Sequence, residues 1–386
     1  MIPYGRQEVT KEDIESIIDV LKSDFLTQGP IVPKFEQSVS NFCGAKYSFA
    51  VNSATSALHL ACLALDVGDG DEVWTAANTF VASSNCALYC GATVDFIDID
   101  VDTFNISIPE LKRKLEISKK KNKLPKVVIP VHMTGQSCEM EEIFKLSKEY
   151  GFKIIEDASH AIGGKYKSSH VGSCKYSDIT VFSFHPVKII TTGEGGMALT
   201  NNKDLAKKIE MYRTHGITRD KDSMQKIDGP WYYEQQALGF NYRMTDIQAA
   251  LGLSQMTRLE KYIKIRNQIA LKYDELLKDF PLKTPKVIDN IYSSFHLYVV
   301  RIELEKVSKT HKEIFENLRD LNILVNLHYI PVYLHPYYKN KLGFRTGYCP
   351  NAEKYYREAI SIPMFPTLKD KEIKIVVDAL SKAIKK

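Results

Sequence analysis

Between residues 47 and 184 the chain repeats one pattern: short apolar runs, "YSFAVN", "DEVWTAA", "TVDFIDI", "KVVIPVH", "FKIIED" and "DITVFSF", separated in most cases by stretches able to form helices. Alternation of this kind predicts an α/β domain built on a largely parallel sheet. Such sheets bind ligands beyond the carboxyl ends of their strands. The residues after the runs are therefore the places to search: Asn52 to Ser56, Asn78 to Phe80, Asp157 to His160, and Ser183 to Lys188.

Before the first run, Thr10 opens a Thr-x-x-Asp capping form, and Ile14, Ile17, Ile18 and Leu21 come after it at helical spacing, which predicts an amphipathic helix. A second helix carries Phe35, Val39 and Phe42 and stops at Gly44. Near residue 256 the pattern changes to a long helix bearing Leu259, Tyr262, Ile263, Ile269, Tyr273 and Leu276, then the strand-like "FHLYVVRI". The expected division is a large domain with its N-terminal segment over residues 1–255 and a smaller C-terminal domain over 256–386.

With 386 residues, 44% hydrophobic and 26% charged, the chain has the size and balance of a soluble two-domain protein. Its formal charge of +5 is spread over both signs, and the one dense basic run, "KKKNK" at 119 to 123, reads as a solvated connection and not a nucleic-acid patch. The seven cysteines are scattered and never spaced as Cys-x-x-Cys or set beside paired histidines, so no metal site is expected and reduced thiols in the cytoplasm fit best. "MIPYGRQEVT" has no leader pattern, and no run approaches the ~20 apolar residues that span a bilayer.

Chemistry concentrates around "SFHPVKIITTGEGG", where Lys188 stands between a proline-bearing turn and three glycines. A lysine at a strand's end forms a Schiff base if its surroundings lower its pKa and hold a carbonyl nearby. In "IIEDASHA", Asp157 comes after another strand, placed to pair with a protonated pyridine nitrogen, as pyridoxal phosphate requires to act as an electron sink. "VNSATSALHLACLAL" offers a strand, a small-residue turn and a helix start, which reads either as a phosphate cup or as a plain Ser/Thr cap. Ser183 could add a hydroxyl to that cup. Phe80 either stacks on a flat cofactor or packs in the core. Gly193, Gly195 and Gly196 do not follow a strand and open a helix, so they read as room for the backbone to pass close to the lysine and its cofactor.

Together, "NSATSALHL", "NTFVASSNCAL", "EDASHAIGGKY", "SFHPVKIITTGEGG" and "NYRMTDIQAALGLSQ" resemble, in order and spacing, the nucleotide-sugar aminotransferases of the DegT/DnrJ/EryC1/StrS family. The resemblance runs over nearly the whole chain, from "LTQGP" to "ISIPMFP". It implies the type I fold of pyridoxal-phosphate enzymes, like aspartate aminotransferase, with a large α/β domain and a small α+β domain. It makes Lys188 the Schiff-base lysine, Asp157 the partner of the pyridine nitrogen, and His160 a contact to the cofactor ring or its hydroxyl. Phe80 would stack on the ring, and Thr55 and Ser183 would hold the phosphate, with Ala54 where many relatives have glycine. Ser56 would touch cofactor or substrate. Asn241 would reach the phosphate from a second subunit, which implies a homodimer with shared sites.

The resemblance further implies transamination in two halves, with glutamate leaving as 2-oxoglutarate, the amino group held on pyridoxamine 5′-phosphate, and Lys188 moving the proton in both. The wording of "NSATSALH", "SFHPVK", "LTQG" and "NLHYIPVY" is closest to the branch acting on a UDP-linked 4-keto-6-deoxy sugar on the way to pseudaminic acid. In that branch Tyr4, Thr27, Gln28 and Gly29 would line the substrate site, and His328 and Tyr329 would contact the nucleotide end. Ile189 departs from it, since close relatives often carry proline there. The alternatives are another nucleotide 4-ketosugar, of the bacillosamine or 4-amino-arabinose type, or a non-catalytic cofactor-binding sensor. A nicotinamide dehydrogenase is disfavoured because no strand is followed by Gly-x-Gly-x-x-Gly.

Overall fold

The computed structural model describes residues 1–385, and all six apolar runs form strands of one seven-stranded sheet. The strands are Tyr47–Val51 (β1), Glu72–Ala76 (β2), Thr93–Ile97 (β3), Val127–Ile129 (β4), Lys153–Asp157 (β5), Ile179–Ser183 (β6) and Gly196–Thr200 (β7). Their spatial order is β1-β7-β6-β5-β4-β2-β3. Pairing is parallel from β3 across to β6, while β7 runs antiparallel to both β6 and β1. The sequence pattern marks no strand at "GMALT", because β7 directly adjoins the glycine cluster and carries small residues where the other strands carry branched ones.

Alternate side chains enter different cores. Val127, Ile129, Ile155, Val181 and Ala198 face the helices Ala54–Ala64 and Ala82–Tyr89. Val128 and Ile154 face the opposite side with Trp74 and Phe96, and Phe182 and Met197 face it with Phe35 and Val39 of the helix Ile31–Cys43. That helix ends at Gly44, whose φ of 80° closes its last turn.

The first helix, Lys11–Leu21, has the expected capping box, with the Thr10 N–H donating to Asp13 at 2.9 Å. Its orientation differs from what an apolar stripe predicts. Ile14, Ile18 and Leu21 remain exposed, and the buried side carries Asp13. Ser254 donates to that carboxylate at 2.6 Å, Arg258 at 2.5 Å and Gln255 at 3.1 Å, so a polar anchor fixes the helix and turns its apolar stripe outward.

The long helix Leu259–Leu277 belongs to two cores. Leu259, Tyr262 and Ile263 pack with Phe182 and Phe184, whereas Ile269, Tyr273 and Leu277 pack with a three-stranded antiparallel sheet. The strands of that sheet are Leu282–Lys283 (β8), Tyr298–Ile302 (β9) and Ala359–Ile362 (β10). Ile2 joins this second core, and Ile2–Pro3 pairs in parallel with Ile323–Leu324. Val332, Tyr333, Tyr338 and Tyr355 return to the first sheet and pack against Trp74 and Phe96.

Candidate active site

The carboxyl ends of β1, β5 and β6 converge on one edge, and the segment leaving each strand is short and tightly held. After β1, Ser53 caps the helix Ala54–Ala64: its backbone is extended and its hydroxyl accepts the Ser56 N–H at 3.1 Å. Ser56 in turn donates its hydroxyl to Asn52 at 2.6 Å. Ala54 and Thr55 open the helix, so their N–H groups have no partner within it and remain available to an anion. Alanine fits at 54, for the residue is helical and lies outside the left-handed region.

Gly196 explains part of the glycine cluster differently from the sequence reading. It lies in β7 opposite both Val51 of β1 and Ser183 of β6, and a Cβ on it would stand 2.4 Å from the Ala54 nitrogen. The glycine thus makes room for the helix head; the lysine turn is not what it meets. Through β7, Ser183 is brought into line with Ser53 and Ala54. Asn241 borders the same cup through its backbone: its carbonyl accepts from the Asn52 amide at 3.5 Å, and its side chain is exposed.

Lys188 sits in the turn after β6, its N–H donating to the His185 carbonyl at 2.9 Å. Its side chain is half-buried; desolvation pulls its pKa down to about 8, with the Asp157 charge opposing. Asp157 closes β5 and is buried. One of its oxygens accepts from Ser83 Oγ at 2.6 Å and the other from the Ser159 N–H at 3.1 Å. Among the described residues no cation forms an ion pair with it. His160, also buried, meets the Tyr329 hydroxyl through Nε2 at 3.2 Å, while its Nδ1 has no partner. Burial, then the Lys188 and His328 charges, hold its pKa well below the imidazole range.

A second wall faces this edge from distant parts of the chain. The Tyr329 N–H donates to Asn78 at 3.0 Å, and the Tyr329 ring stands 5.9 Å from that of Phe80. Phe80 is 56% exposed, so it lies outside the core and shows its ring to the cleft. His328 accepts from or donates to Ser361 at 2.8 Å, and burial followed by the Lys188 charge pushes its pKa down to about 3. The Tyr4 ring lies 5.2 Å from His328, and the neighbouring Gly5 adjoins Val187, one residue before the lysine. Lys188, Asp157, His160, Phe80, His328, Tyr329 and Tyr4 are thereby brought together.

Thr27, Gln28 and Gly29 are not joined to that group within one chain. Thr27 bridges to Thr245, Gln28 is exposed, and the Gly29 N–H donates to Asp246 at 3.2 Å. Sequence reasoning marked the stretch holding Asn78 and Thr79 without giving either a role, and it missed Ser83 and His296. The first three lie in or beside the quoted "NTFVASSNCAL", where their small polar side chains give no separate signal. His296, whose ring is 4.5 Å from that of His160, could be found only in three dimensions.

Two features fit pyridoxal phosphate. A buried carboxylate without a cationic partner and a buried imidazole with one unpartnered nitrogen both feel the charge of the same lysine, and buried groups of this kind need a partner. The unpaired helix head beside Ser183 supplies what a phosphate takes. Among the described residues no group of three or more His, Cys, Asp or Glu side chains could hold a metal ion, and no helix is long and apolar enough to cross a membrane.

Comparison with known proteins gives a consistent picture. The model of the DegT/DnrJ/EryC1/StrS aminotransferase family matches residues 7–381. The spore coat polysaccharide biosynthesis protein SpsC of Bacillus subtilis is 38% identical over 100% of this chain and 97% of its own. The UDP-4-amino-4,6-dideoxy-N-acetyl-beta-L-altrosamine transaminase of Campylobacter jejuni is also 38% identical, over 100% of this chain and 98% of its own. Among solved structures, Helicobacter pylori PseC, an aminotransferase of pseudaminic acid biosynthesis, superposes with a TM-score of 0.90 at 32% identity, covering 99% of both chains.

Proposed function

Because the chain belongs to the DegT/DnrJ/EryC1/StrS aminotransferase family, whose aminotransferases depend on pyridoxal phosphate, we propose that it aminates a UDP-linked 4-keto-6-deoxy-N-acetyl hexose with glutamate as donor. The sugar is UDP-2-acetamido-2,6-dideoxy-β-L-arabino-hex-4-ulose, and the step belongs to pseudaminic acid biosynthesis. The observation that carries this reading is the meeting of Lys188 with Asp157 and His160 at one sheet edge; the names of the Campylobacter and Helicobacter relatives support the choice of sugar.

When bound, the cofactor supplies an electron sink and, in its pyridoxamine form, the carrier of the amino group. Lys188 holds it by its amine, and burial keeps enough of that amine neutral near pH 8 to act as nucleophile and base. Freed, the same nitrogen takes a proton from the donor carbon and later returns one to C4 of the sugar. Asp157 keeps the proton on the ring nitrogen, and His160 presents its open Nδ1 to the ring. The first N–H groups of the helix Ala54–Ala64, with Thr55 and Ser183, would hold the phosphate, and Phe80 would lie against the ring. Tyr4, Ser56, His328 and Tyr329 bound the sugar nucleotide.

Asn241, Thr27, Gln28 and Gly29 act from a second copy of the chain, in a homodimer. What supports this is the exposure of Asn241, Thr27 and Gln28 together with the uncovered apolar stripe Ile14, Ile18, Leu21, Phe25 and Leu26. Seven free cysteines accord with a cytoplasmic enzyme. We retain the division into a large domain over 1–255 and a small one over 256–386. A second sugar is favoured by one finding: the equally similar Bacillus protein carries a spore coat polysaccharide name.

The test is turnover with glutamate of two UDP-linked N-acetylated 4-keto-6-deoxy sugars. Preference for the β-L-arabino ketone upholds the reading, and preference for the α-D-xylo ketone moves the enzyme to another amino sugar. Borohydride reduction of the holoprotein should label Lys188; a label on any other lysine overturns the site.

A further inference from the structure

The carboxylate of Asp157 is not held by the strand that carries it. Its Oδ2 lies 2.6 Å from Ser83 Oγ, and Ser83 Oγ lies 2.7 Å from Thr79 Oγ1, in a place where Thr79, Ser83 and Asp157 are all buried. The direction of these bonds is fixed by chemistry. An ionised carboxylate only accepts, so Ser83 donates to Asp157; having one hydroxyl hydrogen, Ser83 must then accept from Thr79. The hydroxyls form a one-way chain that ends on the carboxylate, and each bond polarises the next.

From this geometry we propose that Ser83, oriented by Thr79, is a positioning residue that holds the Asp157 carboxylate aimed at the ring nitrogen of the cofactor. The proposal rests on the reading of Asp157 given above. Two of the roughly four lone-pair sites of the carboxylate are taken, by Ser83 and by the Ser159 N–H, and the others stay free for the ring. Without the Ser83 donor, the carboxylate is free to turn from the ring nitrogen, and the ring withdraws electrons less well. The other side chains near Asp157 cannot replace the donor. Lys188 supplies charge without a hydrogen bond to it, and His160 turns its Nε2 to Tyr329 and makes no hydrogen bond to Asp157.

The experiment compares the intact holoenzyme with Ser83→Ala, Ser83→Thr and Thr79→Val, each loaded with pyridoxal phosphate labelled with 15N in the ring. Ser83→Ala should move the ring 15N resonance toward that of an unprotonated pyridine and lower kcat for glutamate roughly 10- to 100-fold, with KM unchanged. Ser83→Thr should restore both, and Thr79→Val should give a smaller shift in the same direction. If Ser83→Ala leaves the resonance in place, the proposal fails, even when activity falls through a general loss of packing. If the unaltered protein forms no Schiff base at Lys188, the reading of the site fails first, and the two results are told apart by its absorbance before any variant is made.

Discussion

The two walls of the cleft are built on different principles. The first wall stands on strand ends: Asp157 closes β5, Lys188 lies five residues beyond β6, and Ser53 lies two residues beyond β1. Each is placed by a hydrogen-bonded sheet whose strands are buried on both faces, and local sequence decides what each presents. The opposite wall borrows Tyr4, His328 and Tyr329 from chain ends and connections, fastened by long-range contacts such as Tyr329 to Asn78 and Tyr355 to the His328 carbonyl at 2.6 Å. The comparison teaches that one wall should dictate the chemistry and the other the choice of substrate, and each can be disturbed alone.

The largest effect should come from the first wall. Lys188→Ala should abolish the yellow absorbance and cut turnover by ~10⁴-fold or more, since one group supplies both attachment and proton transfer. Asp157→Ala should keep the absorbance but cost about 10²–10³-fold in kcat in both half-reactions, measured by single turnover with each substrate. A variant at the second wall that did the same would break the comparison. Tyr4→Ala, which removes the ring beside His328, should instead raise KM for the sugar nucleotide roughly tenfold and leave the glutamate half within about twofold.

The pH dependence sharpens the same contrast. Burial lowers the Lys188 pKa in the folded protein to about 8, below its value in the unfolded chain, so the neutral amine grows as pH rises. Attachment of pyridoxal phosphate to the cofactor-free protein should therefore speed up about tenfold between pH 7 and pH 9, with its midpoint near 8. By linkage, the unfolded chain holds more protons than the folded one between that midpoint and the ordinary lysine range, so stability gains from this group with rising pH there. A flat rate profile would show that Lys188 is solvated. The smallest effect is expected from Gly196→Ala: its Cβ would press on the head of the Ala54–Ala64 helix and cost about 1–3 kcal/mol, read as a lower Tm and weaker phosphate binding.

The sequence is most legible where structure is local. Strands β1 to β6 show as apolar runs, and Asp157 and Lys188 fall just after two of them. Strand β7 escapes because Gly196, Ala198 and their neighbours carry no run of branched residues; what makes it a strand is pairing on both sides. Helix Lys11–Leu21 shows its limits correctly and its inside wrongly, since periodicity marks an apolar stripe but not which surface covers it, and buried Asp13 decides that through partners near residue 254. His296 and the Thr79–Ser83 chain carry no signal in one dimension, because their meaning lies in what stands beside them.

The pairing of Ile2 with Ile323 has a temporal consequence. During synthesis the sheet strands β1 to β7 leave the ribosome first, yet the residue that will lie over His328 waits, untethered, until more than three hundred residues have emerged after it. The nascent chain can thus place Lys188 early while the wall that carries Tyr4 and His328 is still open. A product truncated before residue 323 would leave Tyr4 unanchored, so this wall of the cleft is the last that the polypeptide completes and the first that incomplete translation removes.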